Sequence, residues 1–224
     1  MLAPSAAQAQ FAYTTNGGAI TITGYTGPGG AVAIPATISG LTVTGIGASA
    51  FSNCLSFENI TIASSVTNVG VYAFCDCTNL TNITIPGSLI HMPAMMFANC
   101  TNLASVFFEG DPPTFGSGVF AYDTNATIYY LPGTDWGSPF AGVPTALWNP
   151  LIQTGDGHFG VQNNQFGFNI TGTTNIPIVV EACTNLANPV WIPLTNVTLT
   201  NGLFYFSDPQ WTNYPARYYG IGFQ

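Results

Sequence analysis

The sequence predicts a mainly β protein in which a short solenoid of stacked coils is followed by a small antiparallel module resembling a β-sandwich. One observation is a period of 23 residues in the apolar positions, and another is the loss of that period beyond about residue 150. A unit of this length cannot bury its own apolar edge, so neighbouring copies are expected to stack. The period is clearest in a row of phenylalanines and a row of cysteines three residues later: Phe51, Phe74, Phe97 and Phe120, with Cys54, Cys77 and Cys100.

Each coil is expected to contain one strand. The segment from Leu80 to Ile85 has the spacing L-x-x-I-x-I, in which apolar and polar residues alternate. Alternation in a strand sends Ile83 and Ile85 inward and Asn82 and Thr84 outward. Carried forward at the fixed period, the same register predicts that Tyr129 points inward in the last coil.

The full pattern, V-x-x-[VI]-G-x-x-A-F-x-x-C-x-x-L-x-x-I-T-I-P, resembles the bacterial-surface-antigen (BspA-type) leucine-rich repeat. Residues 66–86 match it throughout, and the resemblance extends over about residues 41–133. Ala63 replaces the usual proline, Met92-Pro93 replaces Ile-Gly, and Asp123 stands at the last cysteine position. The resemblance implies a secreted or surface-attached bacterial protein that uses the array for adhesion or binding, and it implies no catalytic residue.

The sequence divides into five segments. Residues 1–10 are typical of a leader or signal-peptide remnant, because Ala7-Gln8-Ala9 is an A-x-A cleavage pattern. Residues 11–40 predict an N-terminal β cap, with a strand pair formed by 19–23 and 31–34. The solenoid at 41–133 is followed by an aromatic capping linker at 134–150. Residues 151–224 contain five short alternating runs and predict the antiparallel β module. Through residues 180–186 and 205–209 this module resembles carboxy-terminal modules of other secreted repeat proteins, and that resemblance implies no function.

Charged residues make up only 4% of the chain, with Arg217 the one cationic side chain and a net charge of -8. Typical soluble domains contain about 25% charged residues. Phosphate binding needs basic residues, so this composition argues against nucleic acid and against anionic membranes. No apolar run approaches the roughly 18 residues of a spanning helix, so no integral membrane contact is expected.

Enzyme chemistry and metal binding are both disfavoured. The two histidines, His91 and His158, lie far apart, and Cys75-x-Cys77 lacks the second pair that zinc requires. No G-x-S-x-G element places a nucleophile. We therefore expect no catalytic residue, no metal and no cofactor. The cysteine row is expected to be buried free thiols, although a bond from Cys75 to Cys183, or between molecules, stays open.

The outward face of the strands is the predicted binding surface, formed by Thr61, Asn82, Thr84, Phe107 and Tyr130. Phe107 and Tyr130 are expected to be neighbours in one exposed column, suited to stacking on a sugar or a protein. The alternative is that the C-terminal module covers them. The sequence thus predicts an extracellular or cell-surface binding protein with a protein or glycan ligand. The alternative function is that of a structural subunit, which assembles with copies of itself into a filament or surface layer.

Overall fold

The structure, a computed structural model, describes residues 10–134, 136–174 and 176–222. Apart from Gln10, the predicted leader lies outside these residues. The chain forms two compact units, one up to Thr145 and one from Ala146 onward. This division falls within the segment predicted as a capping linker.

The first unit confirms the mainly β solenoid, and the described residues contain no α-helix. Short strands separated by turns recur once or twice in every coil. The strands are β1 Phe11–Asn16, β2 Ala19–Tyr25, β3 Gly30–Ile34, β4 Thr37–Ile38, β5 Leu41–Ile46, β6 Phe57–Ile62, β7 Asn68–Val69, β8 Asn82–Ile85, β9 His91–Met92, β10 Ser105–Phe108, β11 Thr114–Phe115 and β12 Thr127–Tyr130. A further strand, β13 Thr145–Leu147, lies at the division between the two units.

The coils stack through two strand ladders. The larger sheet has the order β13-β12-β10-β8-β6-β3, and its pairs from β3 to β12 are parallel. The smaller ladder is interrupted, because the parallel pairs β2–β5 and β5–β7 belong to one sheet and the parallel pair β9–β11 forms a separate one. Asn82 lies opposite both Asn59 and Ser105, so each coil is offset from the next by one repeat. Stacking therefore turns each repeated position into a continuous row.

The row of phenylalanines forms the centre of the solenoid. Phe51, Phe74 and Phe97 are fully buried, and Phe120 nearly so. Their rings stack face to face, with centroids 5.1, 5.5 and 5.5 Å apart. Offset stacking of aromatic rings adds to the free energy gained by burying them, so a phenylalanine at the same place in each coil stabilises every interface between coils.

The N-terminal segment extends both ladders. β2 pairs with β1 and β5, whereas β3 pairs with β6 in the larger sheet. The predicted pairing of residues 19–23 with 31–34 is therefore wrong, because the glycine-rich connection carries the chain from one face of the coil to the other. Phe11 and Tyr25 lie against Phe51 and cover the first ring of the stack.

The last coil departs from the fixed period. In the pairing of β10 with β12, Val106 lies opposite Ile128 and Phe107 lies opposite Tyr129. This offset is one residue shorter than the repeat, and a one-residue change moves every side chain of a strand to the other face. The predictions that Tyr129 points inward and that Tyr130 shares a column with Phe107 are therefore wrong.

The second unit contains two antiparallel sheets. In one, β16 pairs with β14, β15 and β19, and the other has the order β18-β17-β20. Rings of Phe166, Phe168 and Phe206 contact Tyr219 of the other sheet. The elements are β14 Leu151–Gln153, β15 Gly160–Gln162, β16 Gln165–Thr171, β17 Pro177–Cys183, β18 Ile192–Thr198, β19 Leu203–Asp208, a 3-10 turn Trp211–Asn213, and β20 Tyr218–Gly222.

The aromatic residues of the predicted linker are divided between the two units. Trp136 and Phe140 pack on Phe108 at the end of the solenoid core. Trp148 belongs to the second unit, where its indole N–H donates to the carbonyl oxygen of Pro177 at 2.9 Å. The predicted cap of the solenoid is thus formed by Trp136 and Phe140.

Candidate functional site

The outward face of the larger sheet presents neutral polar side chains over β6 and β8, and Glu58 is exposed at the start of β6. Thr61 is exposed, and Asn82 and Thr84 are half-buried. The Nδ2 of Asn82 donates to the Oδ1 of Asn59 in the preceding coil at 2.7 Å. This hydrogen bond between coils holds the two amides in place, and the sheet backbone sets the positions of Thr61 and Thr84, so the face offers hydrogen-bonding groups at defined positions to a ligand.

The exposed aromatic pair predicted on the same face is not formed. Phe107 is fully buried and stacks on Tyr129, with ring centroids 5.1 Å apart. Tyr130 packs against the solenoid core and stacks on Trp136 at 5.8 Å. Because the last coil is one residue short, the two predicted partners point to opposite sides of the sheet. The predicted surface thus retains Thr61, Asn82 and Thr84.

A row of asparagines that was not predicted from the sequence supports the turns. Each side-chain amide donates to a backbone carbonyl oxygen in the preceding coil, where the turn leaves that oxygen without a strand partner. The bonds are Asn79 to Leu55 at 2.7 Å, Asn102 to Thr78 at 2.7 Å, and Asn125 to Thr101 at 3.3 Å. The regular spacing of these three asparagines was the signal available in the sequence.

The cysteine row consists of free thiols with structural contacts. The Sγ of Cys77 donates to the carbonyl oxygen of Phe51, and the Sγ of Cys100 to that of Phe74, each at 3.0 Å. A hydrogen bond with the Cys77 side chain, together with burial, raises the pKa of the Cys100 thiol. Cys75 and Cys183 are also free. Burial, with a bond to Asp76, raises the pKa of Cys75 to about 11. A protonated thiol is a poor nucleophile.

Asp123 stands where the cysteine row ends. Its side chain is buried, and neither carboxylate oxygen has a hydrogen-bond partner within the part of the chain that the structure describes. Burial raises the pKa of this carboxyl to about 7, and the nearby backbone amide of Cys100 offsets only part of the effect. A buried carboxyl without a partner favours its protonated form.

The cationic side chain of Arg217 forms its contacts inside the second unit. Its Nε lies 2.8 Å from the Oδ2 of Asp208, and both side chains are almost fully buried. The hydroxyl of Tyr219 donates to the same oxygen at 2.9 Å, and the guanidinium lies 4.1 Å from the ring centroid of Tyr214. Arg217 therefore neutralises a buried carboxylate and is not displayed toward an external anion.

Over residues 10–134, 136–174 and 176–222, no group of three or more His, Cys, Asp or Glu side chains is placed to hold a metal ion. Within the same ranges, no helix has the length and apolar character needed to cross a membrane. The surfaces described above have groups that hydrogen-bond and pack.

Comparisons with known proteins agree with the repeat architecture. Residues 35–134 match the model of the BspA type leucine rich repeat region, in six copies. No curated protein gave a significant match.

Solved structures of bacterial leucine-rich repeat proteins are similar over part of the chain. A T. pallidum protein is 28% identical, covering 54% of this chain and 69% of its own, with a TM-score of 0.47. A Bacteroides capillosus protein is 24% identical, covering 54% of this chain and 94% of its own, with a TM-score of 0.46. A leucine rich cell surface protein of Faecalibacterium prausnitzii is 22% identical, covering 62% of this chain and 45% of its own, with a TM-score of 0.41. On the repeated residues and the match of the family model, residues 35–134, somewhat under half of this chain, are similar to the BspA-type leucine-rich repeat region.

Proposed function

We propose that this is a non-enzymatic protein of the bacterial cell exterior whose repeat region binds a partner protein through the outward face of β3, β6 and β8. The observation that carries the proposal is the ordered, uncharged row of Asn59, Thr61, Asn82 and Thr84 on a rigid sheet. A preformed surface loses little conformational entropy on binding. Repeat arrays of this kind present one extended face to their partners.

The proposed location rests on the sequence and the family of the repeat. The BspA-type repeat is typical of secreted and surface-attached proteins, and residues 7–9 match a signal-peptide cleavage pattern. The scarcity of charge, together with the burial of Arg217, favours a partner recognised by hydrogen bonds and packing rather than by ion pairs.

The test is a binding comparison that uses the full chain and a panel of immobilised extracellular matrix proteins in surface plasmon resonance. Thr61→Arg and Thr84→Arg each place a bulky charge on the proposed face and are expected to weaken binding by about tenfold or more. Thr101→Arg is the matched control, because Thr101 is exposed in a turn outside the sheet. Equal affinity of the two face variants and the control would exclude this face, and no binding to any protein of the panel would count against a protein ligand.

Self-assembly is the second candidate function, and the N-terminal edge strand favours it. β1 pairs with β2 on one side, and every residue of β1 after Phe11 is exposed. An uncharged edge strand offers its backbone groups to another chain. Light scattering and negative-stain electron microscopy of the native protein test this. Assembly predicts filaments or layers that disperse when Tyr13 and Thr15 are both changed to Lys, whereas a 23.5 kDa monomer rules it out.

A further inference from the structure

A cleft of about 520 Å³ lies on the second unit, on the face of the β14–β15–β16–β19 sheet opposite its aromatic core. This volume is within the range of small-molecule sites. Amide and ring side chains dominate its lining: Gln162, Asn163, Gln165, Asn169, His158 and Tyr205. No lysine or arginine is among the described residues that line it.

A tight hairpin places three of these amides side by side. Gln162 and Gln165 lie directly opposite each other at the ends of β15 and β16. The connection between them is Asn163-Asn164, and both residues have positive φ, 49° and 61°. Two residues of positive φ form the turn that matches the twist of a hairpin, and asparagine tolerates this conformation. The local sequence therefore directs a cluster of amides to one end of the sheet.

Tyr205 supplies an aromatic surface beside the amides. It lies opposite Asn169 in the pairing of β19 with β16. A Cβ on Gly167 would overlap the tyrosine ring, with the ring carbon Cζ 2.8 Å away. The ring thus lies across the strand at the one position where no side chain obstructs it, and it keeps 42% of its surface exposed. Gly167 in the middle of a strand is explained by this close approach.

The polar groups beside the ring are held by internal bonds. Asp156 accepts from the Nδ2 of Asn169 at 2.8 Å and from the backbone N–H of His158 at 3.0 Å. These bonds, that of Asn169 first, lower the pKa of the Asp156 carboxyl. The Nε2 of Gln162 donates to the carbonyl oxygen of Gly157 at 2.9 Å. The ring of His158 meets the edge of Tyr205, with centroids 6.3 Å apart.

We propose that this cleft binds a neutral oligosaccharide. Sugar hydroxyls both donate and accept hydrogen bonds, and a side-chain amide offers both functions in one plane. The apolar C–H face of a pyranose ring is attracted to the negatively charged face of an aromatic ring such as Tyr205. Because the groups are already ordered, a flexible sugar is the component that loses most freedom on binding.

Charge selects against anionic ligands. Phosphate or a uronic acid calls for a cationic partner, and Arg217 is paired with Asp208 on the other face of β19. The ionised Asp156 at the rim repels an anion as well. The cleft therefore favours uncharged sugars, and its ligand differs from the protein partner proposed for the repeat region.

The experiment measures binding of the full chain to cellohexaose, xylohexaose, mannohexaose and chitohexaose by saturation-transfer NMR and calorimetry. Heparin-derived oligosaccharides and oligogalacturonate provide the acidic comparison, and unfolded casein provides the peptide comparison. At least one neutral oligosaccharide is expected to bind, with saturation transfer to its ring protons. Tyr205→Ala is expected to weaken this binding by about tenfold or more, and Tyr205→Phe is expected to retain most of it.

Tyr218→Ala is the matched control, since Tyr218 is 41% exposed in β20 and does not line the cleft. Because Tyr205→Ala also removes a ring that packs over Gly167, Gln165→Ala provides a second test that leaves the ring in place. It is expected to weaken binding severalfold with an unchanged circular dichroism spectrum. Binding of none of the neutral sugars, preference for an acidic sugar or casein, or equal effects of Tyr205→Ala and Tyr218→Ala would each overturn the proposal.

Discussion

Asp123 places a carboxyl group at the position where the earlier coils have a cysteine thiol. Its buried carboxyl has a pKa of about 7, above the ordinary value of 3.8. Between these two values the unfolded chain releases the proton first. The free energy of unfolding is therefore expected to fall as pH rises from about 4 to about 7, and to stay level above that.

Asp123→Cys continues the row and should remove this pH dependence. The new thiol would stand one repeat beyond Cys100, whose thiol donates to a carbonyl oxygen in the preceding coil. Because solvent screens part of the effect, we expect a gain of about 1–2 kcal/mol at pH 8 and little gain at pH 4.5, measured by urea unfolding. Asp111→Asn is the control, since this exposed carboxylate should give no comparable gain. A destabilised Asp123→Cys at pH 8 would contradict the account.

Tyr122 is held in a conformation that bulky residues rarely adopt. Its φ is 72°, whereas the matching positions of the earlier coils hold Asn53, Asp76 and Asn99, also at positive φ. Asparagine and aspartate tolerate the left-handed region better than tyrosine does. The ring is 78% exposed, so little packing compensates the strain. Tyr122→Asn is therefore expected to raise the free energy of unfolding by about 0.5–1 kcal/mol. Calorimetry that gives a lower midpoint would mean that the ring makes stabilising contacts.

At the scale of elements, the asparagine row couples neighbouring coils through side-chain amides. The bond of Asn102 to Thr78 is 2.7 Å long, and that of Asn125 to Thr101 is 3.3 Å. Asn102→Ala should cost about 0.5–1.5 kcal/mol, and Asn125→Ala should cost less, because the longer bond is weaker. Urea unfolding of both variants checks the order. The reverse order would show that the amides contribute through turn conformation rather than through these bonds.

Some elements of the fold could be predicted from the sequence, and others could not. The phenylalanine row was predictable, because a stacked core needs the same residue in every coil. The register of β12 was not, because a fixed period cannot reveal a missing residue. Ile128 was a local signal, since a β-branched residue suits the inward position better than Tyr129 does. Alternation also identified β2 and β3 as strands but could not name their partners, which depend on where the connection crosses the coil.

The cleft of the second unit was missed for a different reason. Its residues come from three strands that pair without any repeat, so nothing in the sequence relates Gln165 and Asn169 to Tyr205 before the fold is known. The available signals were local: the Asn163-Asn164 turn and the glycine within β16. Antiparallel pairing is decided by contacts distant in sequence, and these signals specify only one hairpin of that sheet.

At the scale of the whole molecule, the two proposed binding surfaces belong to units that have separate cores. Thr84 lies on the repeat region and Tyr205 on the second unit. Changes in separate units that share no contact partners are usually independent. Thr84→Arg is therefore expected to weaken binding to the matrix protein while leaving the affinity for the neutral oligosaccharide unchanged, and Tyr205→Ala is expected to do the reverse. In the double variant, both losses should match those of the single variants.

The measurement is surface plasmon resonance for the protein and calorimetry for the sugar, repeated between about 0.05 and 0.5 M salt. Because neither surface displays a cationic group, both affinities should change little over this range. Loss of both activities in one single variant would indicate a global effect on folding, which circular dichroism would detect. Loss of both in a folded variant would mean that the two ligands share one site, and the assignment of a separate ligand to each unit would then be wrong.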